Sequence, residues 1–415
     1  MHPTTSTLLL LLLAISGLAL AAPGTTLPRQ AAACPAATTT TTTYEAVDNK
    51  GLPDPWKFAN GNPVATADDF LCRQAEMSKM LQQFELGDLP PPPDSLTATM
   101  SGSSSMSLTI KVGSNTKTIS VSITKPPGSN AAGGPAMIGV GGVSIPVPAA
   151  LGRITFGNDA CAAQSNPASH GSGWFFDLHG KAHSAGATLA WAWCVGRIID
   201  GLEKLGPAKT GIDPARLGVS GCSRNGKGAF MVGAFEKRIA LTVPQESGSG
   251  GAACWRISDS EKDKGQNIQT ARQIVRENAW FSPKFTTYVN KTTSLPADHH
   301  FLAALVAPRG LLVLENDIDW LGPVSTTACM KAGRSIYEAL GVKGNMGFSL
   351  VGGHGHCSFP SSDNANLLSF INRFLVGTGT ANEVEQTTAK DAALEMSSWV
   401  GGWSAQPKIT LPAAA

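Results

Sequence analysis

Charge is scarce in this chain: Asp, Glu, Lys and Arg make up only 15 % of 415 residues, and 32 basic against 30 acidic residues leave a net +2. That balance excludes a nucleic-acid binder or a polybasic membrane-surface protein, in which basic residues dominate the composition. No Cys-x-x-Cys pair occurs and the cysteines are widely spaced, which argues against a zinc site. There is no internal repeat. The 45 glycines follow no Gly-X-Y period, so a collagen-like chain is excluded and they read as turns. Beyond the first twenty residues no apolar run is long enough to cross a bilayer. The 42 % of hydrophobic residues suffice for a large core.

The one long apolar run, Leu8 to Leu20, ends in Ala19-Leu20-Ala21 with Pro23 just beyond. This is the pattern of a signal peptide over residues 1–21, although its n-region carries His2 and no Lys or Arg. Secretion to the extracellular space is the expectation. Residues 22–43 are small and polar, end in Thr38 to Thr43, and read as an O-glycosylated leader or linker. No comparable break follows, so residues 44–415 read as one catalytic domain. A secreted chain can oxidise its eight cysteines, and disulfides are the default reading. Asn290-Lys291-Thr292 is the single N-glycosylation sequon.

Met106–Val112 and Lys117–Thr124 are alternating β-branched runs around Gly113-Ser114-Asn115-Thr116, a hairpin that is expected to open the sheet. Short buried runs at Ala136–Val140 and Arg153–Phe156 read as strands. Helix and strand then alternate: helix 189–202, strand 217–220, helix 227–237, strand 239–243, strand 310–314, helix 327–340, a last strand 346–351 and a closing helix 364–374. Such alternation implies an α/β fold with a mostly parallel sheet covered by helices.

Gly221-Cys222-Ser223-Arg224-Asn225-Gly226 joins a strand to a helix and sets a serine on a tight turn, as in a nucleophile elbow. Small neighbours let such a turn lift the hydroxyl clear, while the N–H groups of the new helix face a developing oxyanion. Gly226 stands three residues after the serine, not two, so the usual Gly-x-Ser-x-Gly string is not met and an ordinary turn is the competing reading. Glu246 follows the next strand, and His354 and His356 follow the last one. All lie beyond carboxyl ends of parallel strands in the order Ser, acid, His of α/β-hydrolases. Asp317 and Asp319, after strand 310–314, stand where that fold usually carries its acid, so topology leaves the acid open. Cys222 precedes Ser223 and Cys357 follows His356; if these residues form a triad, a Cys222–Cys357 disulfide would staple nucleophile to base. His299-His300 and His354-x-His356 admit a metal reading, though no acidic ligand stands at motif spacing.

The strings Val219-Ser220-Gly221-Cys222-Ser223-Arg224-Asn225-Gly226-Lys227-Gly228-Ala229, Pro244-Gln245-Glu246-Ser247-Gly248-Ser249-Gly250-Gly251 and His354-Gly355-His356-Cys357 resemble the fungal glucuronoyl esterases of carbohydrate esterase family fifteen. The resemblance covers about residues 45–400. It implies an α/β-hydrolase fold, a three-layer sandwich, and a serine esterase cutting the ester between glucuronic acid of glucuronoxylan and lignin alcohols. No metal or organic cofactor is implied, and a monomer is expected. By position the resemblance makes Ser223 nucleophile, His356 base, Glu246 acid and Arg224 oxyanion stabiliser, with Lys227, Gln269, Glu277 and Trp320 as sugar contacts. It also implies a Cys254–Cys329 bridge, and Cys34–Cys72 is expected to tie down the N-terminal segment; the pairing of Cys161 and Cys194 stays open.

Independently, Lys227 lies four residues after Ser223, one helical turn along on the same face. Gln269 and Glu277 are expected to share a face of a helix over 267–278. Two rival readings stand beside the esterase. One is a serine hydrolase of other specificity, such as an acetyl or feruloyl esterase, since a triad dictates acyl transfer and not the acyl group. The other is a non-catalytic carbohydrate-binding protein on a hydrolase fold, against which the intact Ser, His and Glu argue.

Overall fold

The computed structural model describes Cys34 and residues 43–411; the expected signal segment and all but Thr43 of the threonine-rich stretch lie outside the described residues. The described residues contain ten strands: β1 (Ser95–Ser101), β2 (Ser105–Val112), β3 (Asn115–Thr124), β4 (Gly134–Val140), β5 (Gly152–Phe156), β6 (Ile212–Cys222), β7 (Ile239–Gln245), β8 (Gly310–Glu315), β9 (Met346–Leu350) and β10 (Glu385–Gln386). They form one sheet in the order β1-β2-β3-β5-β4-β6-β7-β8-β9-β10. Strands β1 to β3 and the β3–β5 pair are antiparallel; from β5 to β10 every pairing is parallel.

Both faces are covered, and β8 shows how. Leu311 and Val313 belong to the larger core cluster, whereas Leu312 and Leu314 belong to a second one on the opposite face. A strand buried on both sides needs a continuous apolar run, which Gly-Leu-Leu-Val-Leu supplies. The helices Ala187–Leu205, Arg224–Phe235 and Pro323–Ala339 pack on the first face, and Asn364–Ile371 covers the second through Leu367, Phe370 and Ile371. This is the three-layer α/β-hydrolase arrangement.

Several boundaries differ from the sequence reading. The hairpin β2–β3 does not open the sheet, because β1 precedes it; Ser-Leu-Thr-Ala-Thr-Met-Ser buries only Leu96 and so carries a faint strand pattern. β9 is not last, since the two-residue exposed β10 follows, too short for any periodic signal. The helix expected from 227 begins at Arg224, directly after the serine turn. The helix expected over 267–278 is Ala271–Glu277, started by a Thr270 capping box with Gln273. Gln269 therefore lies before the helix, so it and Glu277 do not share a helical face.

Candidate active site

The elbow is built where β6 hands over to the helix Arg224–Phe235. Ser223 sits at φ 60, ψ −126, a region that side chains other than glycine rarely enter, and caps that helix. The packing explains both flanking glycines. A Cβ on Gly221 would lie 2.4 Å from the Asn225 carbonyl oxygen, and one on Gly226 2.4 Å from the Gln245 carbonyl oxygen. Gly226 is thus required by contact with β7, which accounts for its displaced position in the string. The Ser223 N–H donates to that same Gln245 carbonyl at 2.9 Å.

Among the described residues the non-glycine positions with positive φ are Ser223, Glu246 (φ 44) and Cys357 (φ 64). All three surround one site. Glu246 leaves β7, is 1 % exposed, and anchors its N–H on the Leu314 carbonyl of β8 at 2.7 Å. Its Oε2 accepts His356 Nδ1 at 2.6 Å and the Cys357 N–H at 2.9 Å, with Asn316 Nδ2 at 3.5 Å. A carboxylate accepts, so the His356 proton resides on Nδ1 and Nε2 is left as a base. Cys357 is bonded to Cys222 (S–S 2.05 Å), joining the turn after the histidine to the turn before the serine.

Ser223, Arg224, Asn225, His356 and Cys357 line a cavity of about 400 Å³ together with residues 140–144. Arg224 is exposed, and its guanidinium has no ion-pair partner among the described residues. It is free to meet an anion. Its main-chain N–H lies in the first turn of a helix, where N–H groups lack internal acceptors. The glycine loop after β4 is drawn against the elbow. A Cβ on Gly141 would fall 2.2 Å from Asn225 Nδ2, and Asn158 Nδ2 donates to Asn225 Oδ1 at 3.1 Å. Neither asparagine was singled out by the sequence, which offers no signal for such a contact.

The other nominated residues separate. Asp317 and Asp319 do not reach His356: Asp319 Oδ1 pairs with Lys390 Nζ at 2.5 Å, and the Asp317 carboxyl group packs where a Cβ on Gly352 would lie. Trp320 is 36 % exposed and presents its ring edge-on to His356, centroids 4.8 Å apart. Gln269 Nε2 donates to Glu277 Oε2 at 3.2 Å at the surface. Lys227 is not a solvated lysine: it is 3 % exposed, its Nζ donates to the Ser247 carbonyl, and it lies 5.1 Å from the Trp280 ring centroid. Burial lowers its pKa to about 8, against the pull of the Glu315 carboxylate.

The histidines of the alternative metal reading are engaged in hydrogen bonds. His299 Nδ1 meets the Gly251 carbonyl and Nε2 meets Glu85 Oε1, both at 2.7 Å, and His300 Nε2 meets the Pro53 carbonyl at 2.8 Å. His354 Nδ1 faces Asn316 Nδ2 at 3.2 Å. Cys34–Cys72 and Cys254–Cys329 are bridged, and Cys161 pairs with Cys194, a bridge the sequence left open. Asn290 is exposed.

Comparison with known proteins identifies the family. The family model described as "Glucuronyl esterase, fungi" matches residues 108–341. The 4-O-methyl-glucuronoyl methylesterase of Thermothelomyces thermophilus is 57 % identical over 359 residues, covering 86 % of this chain and 90 % of that one. The enzyme of the same name from Neurospora crassa is 56 % identical over 391 residues, 94 % of this chain and 96 % of that one. Among solved structures, a glucuronoyl esterase variant from Sporotrichum thermophile in complex with methyl 4-O-methyl-beta-D-glucopyranuronate superposes with a TM-score of 0.86 at 55 % identity, covering 89 % of this chain and 98 % of that one. With a serine turn, an acid and a histidine gathered at one sheet edge, and a match of this extent, the chain belongs to the fungal glucuronyl esterases and is a carboxylic ester hydrolase.

Proposed function

We propose that this chain hydrolyses esters of 4-O-methyl-glucuronic acid, the link between glucuronoxylan and lignin alcohols, through an acyl-enzyme on Ser223, as a secreted monomer. The observation that carries the reading is His356, with Nδ1 held by Glu246 and its ring lining the same cavity as Ser223. Ser223 Oγ attacks the ester carbonyl and passes its proton to His356 Nε2. Glu246 stabilises the imidazolium. The oxyanion is met by the Arg224 guanidinium and by N–H groups at the start of the Arg224–Phe235 helix. His356 then protonates the departing alcohol, and a water activated by the same nitrogen releases the uronic acid.

An esterified carboxyl is neutral, so the sugar must be read through its hydroxyls. Gln269 and Glu277, already hydrogen-bonded to each other, offer a donor and acceptors, and Trp320 offers an apolar face beside His356. Lys227 gives one N–H to Ser247 and keeps two for hydroxyls.

The test is kcat/KM on glucuronate and galacturonate esters with matched alcohols. A site built on particular hydroxyls rejects the epimer by about tenfold to several orders of magnitude. Equal values, or a rate set by the alcohol alone, would show that the pocket does not read the sugar. Acetyl and feruloyl esters in the same panel separate the rival specificities.

A further inference from the structure

Glu315 ends β8, is 3 % exposed, and has no part in the steps above. Its carboxylate gathers the donors of one turn. Oε1 accepts the Ser247 N–H and the Ser247 hydroxyl at 2.7 Å each, and both oxygens lie 3.3 Å from the Gly248 N–H. On the far side of the same residue, Lys227 Nζ donates to the Ser247 carbonyl. Ser247 is therefore gripped at its amide, hydroxyl and carbonyl by a buried anion and a buried cation. Its hydroxyl oxygen also accepts the Ala252 N–H at 2.9 Å.

The residue directly before Ser247 is Glu246, whose backbone stands at φ 44. A non-glycine residue persists in that region only where its surroundings over-determine it. Two restraints do so here, both from β8: the Leu314 carbonyl takes the Glu246 N–H at 2.7 Å, and Glu315 takes the donors of the next residue. Burial raises the Glu315 pKa to about 7, opposed by the Ser247 and Gly248 donors, with the Glu246 charge adding to the rise. Every hydrogen bond given to the group comes from a donor, which suits the ionised form with Lys227 as counter-charge.

We propose that Glu315 is a positioning residue of the esterase: through Ser247 it locks Glu246 in the backbone conformation that delivers Oε2 to His356 Nδ1. The inference rests on the Ser223, His356 and Glu246 reading. It assigns to the end of β8, where hydrolases of this fold usually carry the triad acid, a carboxylate that acts one step removed.

The test uses the full chain and a methyl or benzyl ester of glucuronic acid. Glu315→Gln keeps the size of the side chain but sets an NH2 group against donors of the turn. It is expected to lower kcat about 10- to 100-fold, with KM changed by less than about twofold. Ser247→Ala, which removes the hydroxyl link to Glu315 together with the acceptor of the Ala252 N–H, should lower kcat in the same split by about three- to tenfold, and decides the matter should Glu315→Gln not fold. Because Glu315 acts through Glu246, Glu246→Gln combined with Glu315→Gln should be no slower than Glu246→Gln alone, within about threefold. Wild-type kcat in Glu315→Gln, or losses that multiply in the double variant, would overturn the proposal. Ser223→Ala and Glu246→Gln run alongside: if either turns over at the wild-type rate, the triad reading falls and the proposal with it. If both are inactive while Glu315→Gln is not impaired, only the role of Glu315 is refuted.

Discussion

The main-chain N–H of Cys357 donates to Glu246 Oε2 at 2.9 Å, the same oxygen that holds His356 Nδ1 at 2.6 Å. Glu246 thus orients both the His356 ring and the backbone that follows it. Because Cys357 is also tied to Cys222, the turns carrying Ser223, His356 and Glu246 form one connected unit.

Removing that cross-link should harm activity before it harms the fold. A bridge spanning 135 residues contributes about 2–4 kcal/mol, which a domain of this size can lose and stay folded near 25 °C. The paired replacement Cys222→Ala with Cys357→Ala is expected to lower kcat at least about tenfold while circular dichroism stays native, since small displacements of reacting groups are costly. Full activity in the folded double variant would show that the bridge only supports stability.

Ser223→Ala removes the hydroxyl proposed to form the acyl-enzyme. Turnover should fall by a factor on the order of a thousand or more, with the melting temperature close to wild type, because the substitution deletes one oxygen beside an open cavity. A variant retaining most of the wild-type rate would mean that another residue is the nucleophile.

For the acid, Glu246→Gln is expected to lower kcat about 10³- to 10⁴-fold, since Oε2 would no longer stabilise the imidazolium. Asp317→Asn and Asp319→Asn should keep wild-type kcat/KM within about twofold, as Asp319 contributes only an exposed pair with Lys390. Rates that rank the other way would move the acid to β8.

Acid stability should depend on His300. It is fully buried, and desolvation outweighs the nearby Asp298 charge to hold its pKa at about 4. The unfolded chain takes up this proton below about 6.5 and the folded one does not until about pH 4, so stability is present above 6.5 and is lost as pH falls through that window. The loss attributable to His300 is about 2–3 kcal/mol at pH 4.5. His300→Gln keeps a donor for the Pro53 carbonyl without the titration. Its melting temperature relative to wild type should therefore rise between pH 7 and pH 4.5; an unchanged difference would refute the assignment.

Much of this was legible in the chain because it is local. Glycines at 221 and 226 mark a turn whose close approaches admit no Cβ, and alternating apolar runs mark the strands that such turns follow. Cysteines adjacent to Ser223 and His356 announce their own bridge once those residues meet. Glu315 was not legible, because a single acid after an apolar strand gives no sign of what its oxygens will reach.

The amino-acid sequence by itself determined the α/β class, the serine turn and the order of serine, acid and histidine, since each depends on short-range backbone preference or on apolar period. Which of Glu246, Asp317 and Asp319 meets His356 came from tertiary structure alone: all three follow strand ends at one edge, and it is Glu246, with its left-handed backbone held by β8, whose carboxylate lies on His356. It also decided the environment of Lys227. Helical spacing sets the face on which a side chain lies, but what covers that face, here Ser247 and Trp280, comes from segments 20 and 53 residues away and exists only once the chain has packed.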